Sequence, residues 1–145
     1  MSLFASSRQD TREVFFRTWE KLNHEQPLEG IEILIAKVIQ VHPEYHSVLA
    51  NRDTSEDRDY LPESGETNPF LHMGMHVAIE EQLSVDQPRG IREQYEKLML
   101  RFSDPHEVQH YIMECLGEML WQAQRQQTAP DERIYLECLQ KFNKK

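Results

Sequence analysis

Residues 68–86 read NPFLHMGMHVAIEEQLSVD, and this stretch decides the fold class. Asn68 and Pro69 form a helix start, with asparagine as N-cap and proline at the first helical position. Behind them apolar residues fall almost all round the helix: Phe70, Leu71, Met73, Met75, Val77, Ile79, Leu83 and Val85. A helix that is apolar on every side belongs in the middle of a bundle. At about 100° per residue, His72 and His76 lie on the arc of Met73, Ile79 and Leu83, so both are expected to be buried or half-buried.

The same helical grammar extends outward from this segment. A helix is expected over residues 7–23, with Val14, Phe15, Trp19 and Leu22 on its apolar side and Gln26-Pro27 as its break. A second runs over 28–41, where Ile31, Leu34, Ile35, Val38 and Val41 keep the 3.6-residue period. His42 precedes Pro43 and therefore avoids the α region; a short helix over 43–50 follows. Residues 51–68 are polar, mostly acidic, and carry proline and glycine, which reads as one long loop tacked down by Tyr60, Leu61 and Pro62. Beyond 69–86, one helix starts at Pro88 and carries Ile91, Tyr95, Leu98 and Phe102. Ser103-Asp104-Pro105 opens the longest helix, 105–126. Thr128-x-x-Asp131 resembles a capping box for a last helix carrying Ile134, Tyr135, Leu139 and Phe142. The expected fold is all-α: a single domain over 1–145, a bundle of five or six helices with one long acidic loop over 51–68.

Composition bounds the function. The 145 residues are 39% hydrophobic and 28% charged, with a net charge of −9. Such a chain has a real core, and its acidic balance argues against nucleic acid or an anionic membrane as partner. No run of apolar residues is long enough to cross a membrane. The N-terminal stretch lacks the basic and apolar regions of a secretory signal. Cys115 and Cys138 have no C-x-x-C spacing and read as reduced, mostly buried thiols of a cytoplasmic protein.

Histidine spacing carries the chemistry. Six of seven histidines form pairs four residues apart: His42/His46, His72/His76 and His106/His110. On a helix each pair shares a face. Glu80 and Glu114 extend two of the pairs by a further turn. Imidazole with carboxylate is a ligand set for Zn or Fe, and helix bundles build metal sites from such spacings. The leading candidate ligands are His72 and His76, then His110 and Glu114, then His42 and His46. His106 and His110 also complete a His-Glu-x-x-His motif, but Glu107 at the third helical position reads equally as a capping acid. No strand is expected to hold an extended peptide, and no third ligand follows at a familiar spacing, so a zinc peptidase is not the expected function. Whether the chain is an enzyme stays open, since hydrolysis needs an open coordination position as well as a metal. The alternative to a metal protein is a metal-free interaction module with structural histidines, whose acidic surface meets a protein partner or a second copy of the chain.

Several stretches together resemble one family. They are His42-Pro43-Glu44-Tyr45-His46, Asp59-Tyr60-Leu61-Pro62, residues 68–76, Glu81-Gln82, Asp86-Gln87-Pro88-x-Gly90-Ile91, His110 and Glu114-Cys115-Leu116-x-Glu118. The chain is similar over nearly its whole length to a bacterial family known as domain of unknown function 1841. The resemblance implies a compact single-domain bacterial protein and no activity. In the family's pattern a glutamate precedes the last histidine; here that position is Gln109, so no carboxylate role at 109 is implied.

Overall fold

The computed structural model describes residues 7–144 and is helical throughout, with no strand among the described residues. Eight α-helices are described: α1 Arg8–Asn23, α2 Glu32–Gln40, α3 His46–Ala50, α4 Arg52–Ser55, α5 Pro69–Val85, α6 Ile91–Phe102, α7 Pro105–Gln126 and α8 Glu132–Lys144. Two 3-10 turns, Pro43–Tyr45 and Pro62–Ser64, join them. The helix count exceeds the expected five or six: the short helix expected over 43–50 is present as α3, and α4 is added after it. Pro43 forces a 3-10 turn before α3, and α4 occupies the start of the expected loop. The chain divides into two compact units, residues 1–78 and 79–145.

In the first unit the core is Phe15 and Phe16 of α1, Ile35, Val38 and Ile39 of α2, Leu49 of α3, and Phe70, Met73 and Val77 of α5. Phe70 is its hub: its ring lies 6.1 Å from that of Phe15 and 5.6 Å from that of Phe16. Asn68 caps α5 as expected, its Oδ1 accepting the N–H groups of Phe70 and Leu71 at 3.0 and 3.2 Å.

The expected loop is held by arginines of α1. Arg12, 3% exposed, donates through Nη1 to the carbonyls of Ser55, Glu56 and Arg58. Its guanidinium also covers the Phe70 ring, 4.7 Å from the centroid. Arg8 donates to the carbonyl of Asp57 and to Asp59. Tyr60 packs on the core as expected, whereas Leu61 stays 51% exposed.

Glu32 ties α1 to α2. It is buried and accepts from Arg17 Nε at 2.8 Å, Lys21 Nζ at 2.7 Å and the N–H of Glu29 at 2.9 Å. Burial alone pushes this carboxyl up, but the hydrogen bonds from Lys21, Arg17 and Glu29 outweigh it and hold the pKa down to about 2. A depressed carboxylate stabilises the fold above its unfolded pKa. The Glu32 contribution is therefore full above about pH 4.5 and is lost as pH falls toward about 2. Glu32→Gln should cost about 1–3 kcal/mol at pH 7, with a difference from wild type that shrinks in acid. Denaturant melts at pH 7 and pH 3 check this; an equal difference at both would remove Glu32 as the acid-sensitive tie.

In the second unit α6, α7 and α8 pack pairwise on one another. Ile91, Leu98, Val108, Ile112, Leu116, Tyr135 and Leu139 are among its buried residues. Tyr135 donates its hydroxyl to Gln82 Oε1 at 2.7 Å. Asp86, at φ 52°, accepts the N–H groups of Gly90 and Arg92 and so starts α6. Asp131, rather than Thr128, begins α8, accepting the N–H of Arg133 at 3.0 Å.

The cysteines correct an expectation. Cys115 and Cys138 are joined in a disulfide, with Cα atoms 5.5 Å apart. Spacing alone could not show this, because the pairing depends on α8 folding back along α7. The cytoplasmic expectation rested partly on reduced thiols, and the disulfide withdraws that support. No helix is long and apolar enough to cross a membrane.

Candidate metal centre

Three candidate histidines come together in the first unit. His42 follows the end of α2, and His72 and His76 stand one turn apart on α5. Ring centroids are 4.8 Å apart for His42 and His76, 5.2 Å for His42 and His72, and 4.9 Å for His72 and His76. His42 and His76 are 1% and 2% exposed, and His72 is half-buried.

Local sequence explains this placement. His42 continues the core-facing line of Ile35 and Val38 but cannot stay helical before Pro43. It takes φ −126° and ψ 62°, which ends α2 and turns the chain. Its Nδ1 lies 2.7 Å from the Val38 carbonyl. A carbonyl can only accept, so Nδ1 carries a proton, and in the neutral ring that tautomer leaves the lone pair at Nε2. Metal-ligating histidines use this same arrangement: one nitrogen anchored on a carbonyl, the other directed at the ion. The Nε2 atoms of His42 and His76 are both shut off from solvent.

The donor set can be tested against an ion. Ligand nitrogens of His42 and His76, and those of His72 and His76, lie within 4.8 Å of one another. Tetrahedral Zn–N bonds of about 2.1 Å would place nitrogens about 3.4 Å apart. His76 is the shared neighbour of the other two, so an ion would draw His42 and His72 in toward it.

His46 is placed elsewhere. Its Nε2 lies 2.9 Å from the Ile39 carbonyl and its ring packs on Trp19, centroids 4.9 Å apart. The Pro43 turn separates its direction from that of His42. Tyr45, which the spacing argument passed over, stacks on His42 with centroids 5.6 Å apart and planes 10° from parallel. Burial, with the nearby Glu44 charge, pushes the Tyr45 phenol up. The signal for Tyr45 was the proline turn itself, which brings residue 45 back over residue 42.

In the second unit, His106 and His110 of α7 meet edge to face with centroids 4.3 Å apart. Asp104 caps α7 through the N–H of His106 at 3.0 Å, with Pro105 next, as expected. Glu107 of the His-Glu-x-x-His motif accepts the Tyr111 hydroxyl at 3.1 Å. Glu114 is exposed one turn beyond His110. Gln109 donates to Glu80 Oε1 at 2.7 Å, so the amide at 109 is a hydrogen-bond partner of a carboxylate.

The family of proteins described as domain of unknown function DUF1841 matches residues 7–141 of the chain. The chain belongs to this family. The match to DUF1841 takes in every candidate residue of both units, from His42 to Glu114. No curated protein and no solved structure matches the chain.

Proposed function

We propose that this protein binds a transition-metal ion, Zn or Fe, through His42, His72 and His76. The observation that carries the reading is the meeting of three imidazoles, with His42 held by Val38 in the tautomer that leaves Nε2 as the donor. All three donors would be imidazole nitrogens, a set suited to Zn and Fe and poor for Mg or Ca. A metal held this way would supply Lewis acidity or, for iron, a change of oxidation state. The chain's own residues would hold it: Val38 orients His42, α5 fixes the spacing of His72 and His76, and burial keeps bulk water from two of the three ligands.

His110 and Glu114 are a separate proposal for the second unit, one turn apart on α7. His110→Ala should lower the metal stoichiometry if they ligate; unchanged content would remove them from the ligand set. His46 is left out of the proposed set because its Nε2 is engaged by the Ile39 carbonyl.

The test is elemental analysis of protein purified without an affinity tag, followed by titration with Zn(II) and Fe(II). The expected result is about one equivalent of bound metal per chain, with a thermal midpoint that rises on addition of metal. Trace metal content together with a midpoint indifferent to both ions would overturn the reading. It would leave the metal-free interaction module.

A further inference from the structure

We propose that Tyr45 is a positioning residue of the histidine centre: its ring braces the imidazoles of His42 and His72 and thereby sets the affinity for the metal. This inference rests on the metal reading above. The two histidines lie 30 positions apart in sequence, one beyond the end of α2 and one on α5, and Tyr45 touches both. Its ring lies parallel to that of His42 at 5.6 Å and edge-on to that of His72 at 6.1 Å.

The backbone builds this brace. The Tyr45 N–H donates to the His42 carbonyl at 3.0 Å, closing the turn that Pro43 imposes. The turn returns the Tyr45 side chain over the residue that began it. His42 needs such support. It sits between helices rather than within one, and its Nδ1 lies 2.7 Å from the Val38 carbonyl. That hydrogen bond sets the tautomer and anchors one edge of the ring. A flat group against the ring face limits rotation about that edge. Ligands held in place before the ion arrives bind it more tightly, because less freedom is lost on binding. The contact runs through ring faces, so phenylalanine should serve in place of tyrosine.

The experiment uses the full chain and Co(II) as the probe, read by its visible absorption. Tyr45→Ala should weaken Co(II) binding by about 10- to 100-fold, the range for loss of a supporting partner of a ligand. Tyr45→Phe should bind as wild type does, with the same spectrum. Tyr60→Ala removes another ring from the same unit, one that packs on Phe70 at 6.5 Å. It should lower the thermal midpoint and leave the affinity and spectrum unchanged. If the alanine variant does not fold, Tyr45→Leu keeps most of the volume and should show the same loss. Wild-type affinity in Tyr45→Ala, or in Tyr45→Leu, overturns the role of Tyr45 while the metal reading stands. Equal losses in Tyr45→Phe and Tyr45→Ala, or in Tyr60→Ala, overturn it as well. A wild-type chain that binds no Co(II) overturns both.

Discussion

His76→Ala should abolish stoichiometric metal, weakening Zn(II) binding by about 100- to 1000-fold. Zinc held by four protein ligands gains about 10–16 kcal/mol, which is about 2.5–4 kcal/mol for each ligand. His76 is the largest single loss to expect, because it lies within ligand reach of both His42 and His72. The effect should also appear in stability. A ligand at about 100 times its Kd stabilises the native state by about 2.7 kcal/mol, so wild type should melt higher with excess Zn(II), and the variant should not. Removing a buried ring also leaves a cavity, which lowers the apo midpoint whether or not metal binds. The informative quantity is therefore the difference between midpoints with and without Zn(II), measured in His76→Ala and in His72→Ala. Undiminished metal content in both variants would show that these histidines do not hold the metal.

Removing the disulfide should cost about 3 kcal/mol. The bond closes a loop between residues 23 apart, and on the chain-entropy account a loop of that size restrains the unfolded chain by about that amount. Cys115→Ala with Cys138→Ala should lower the midpoint by roughly 10 °C, since a small domain loses several degrees per kcal/mol. Cys115 is fully buried, so alkylation must be done on denatured protein. Wild type should take up label only after reduction. Two labelled thiols in the unreduced chain, or a double variant that melts with wild type, would show that the pair does not tie α7 to α8 in solution.

Much of the fold was legible because it follows local rules. The caps at Asn68 and Asp104 lie where side-chain oxygens and prolines predict them. Ile35 and Val38 face the core at the helical period, and His76 is buried on the arc computed for it. What local rules do not encode is how helices cross. The approach of His42 to His72 and His76, and of Cys115 to Cys138, depends on packing between segments distant in sequence. The division of the chain after residue 78 was equally hidden. It falls within α5, between two buried apolar residues, whereas sequence boundaries are recognised by polar linkers. The segment after residue 50 is loop as its polar composition suggests, apart from α4 and the 3-10 turn at Pro62–Ser64. Its attachment to α1 was not legible, because nothing in the neighbourhood of Arg12 marks it as buried.

That arginine gives α1 two attachments of different kinds. Glu32 holds Arg17 and Lys21 by a group that takes up a proton in acid. Arg12 holds residues 55–58 through peptide carbonyls, which do not titrate at any pH the protein meets. Acidification should therefore loosen α1 from α2 while α1 keeps its grip on the 55–58 segment, so the unit comes apart in a set order. Hydrogen exchange followed down a pH series, after correction for the intrinsic rates, would display that order as loss of protection in α2 ahead of loss in the segment bound to Arg12.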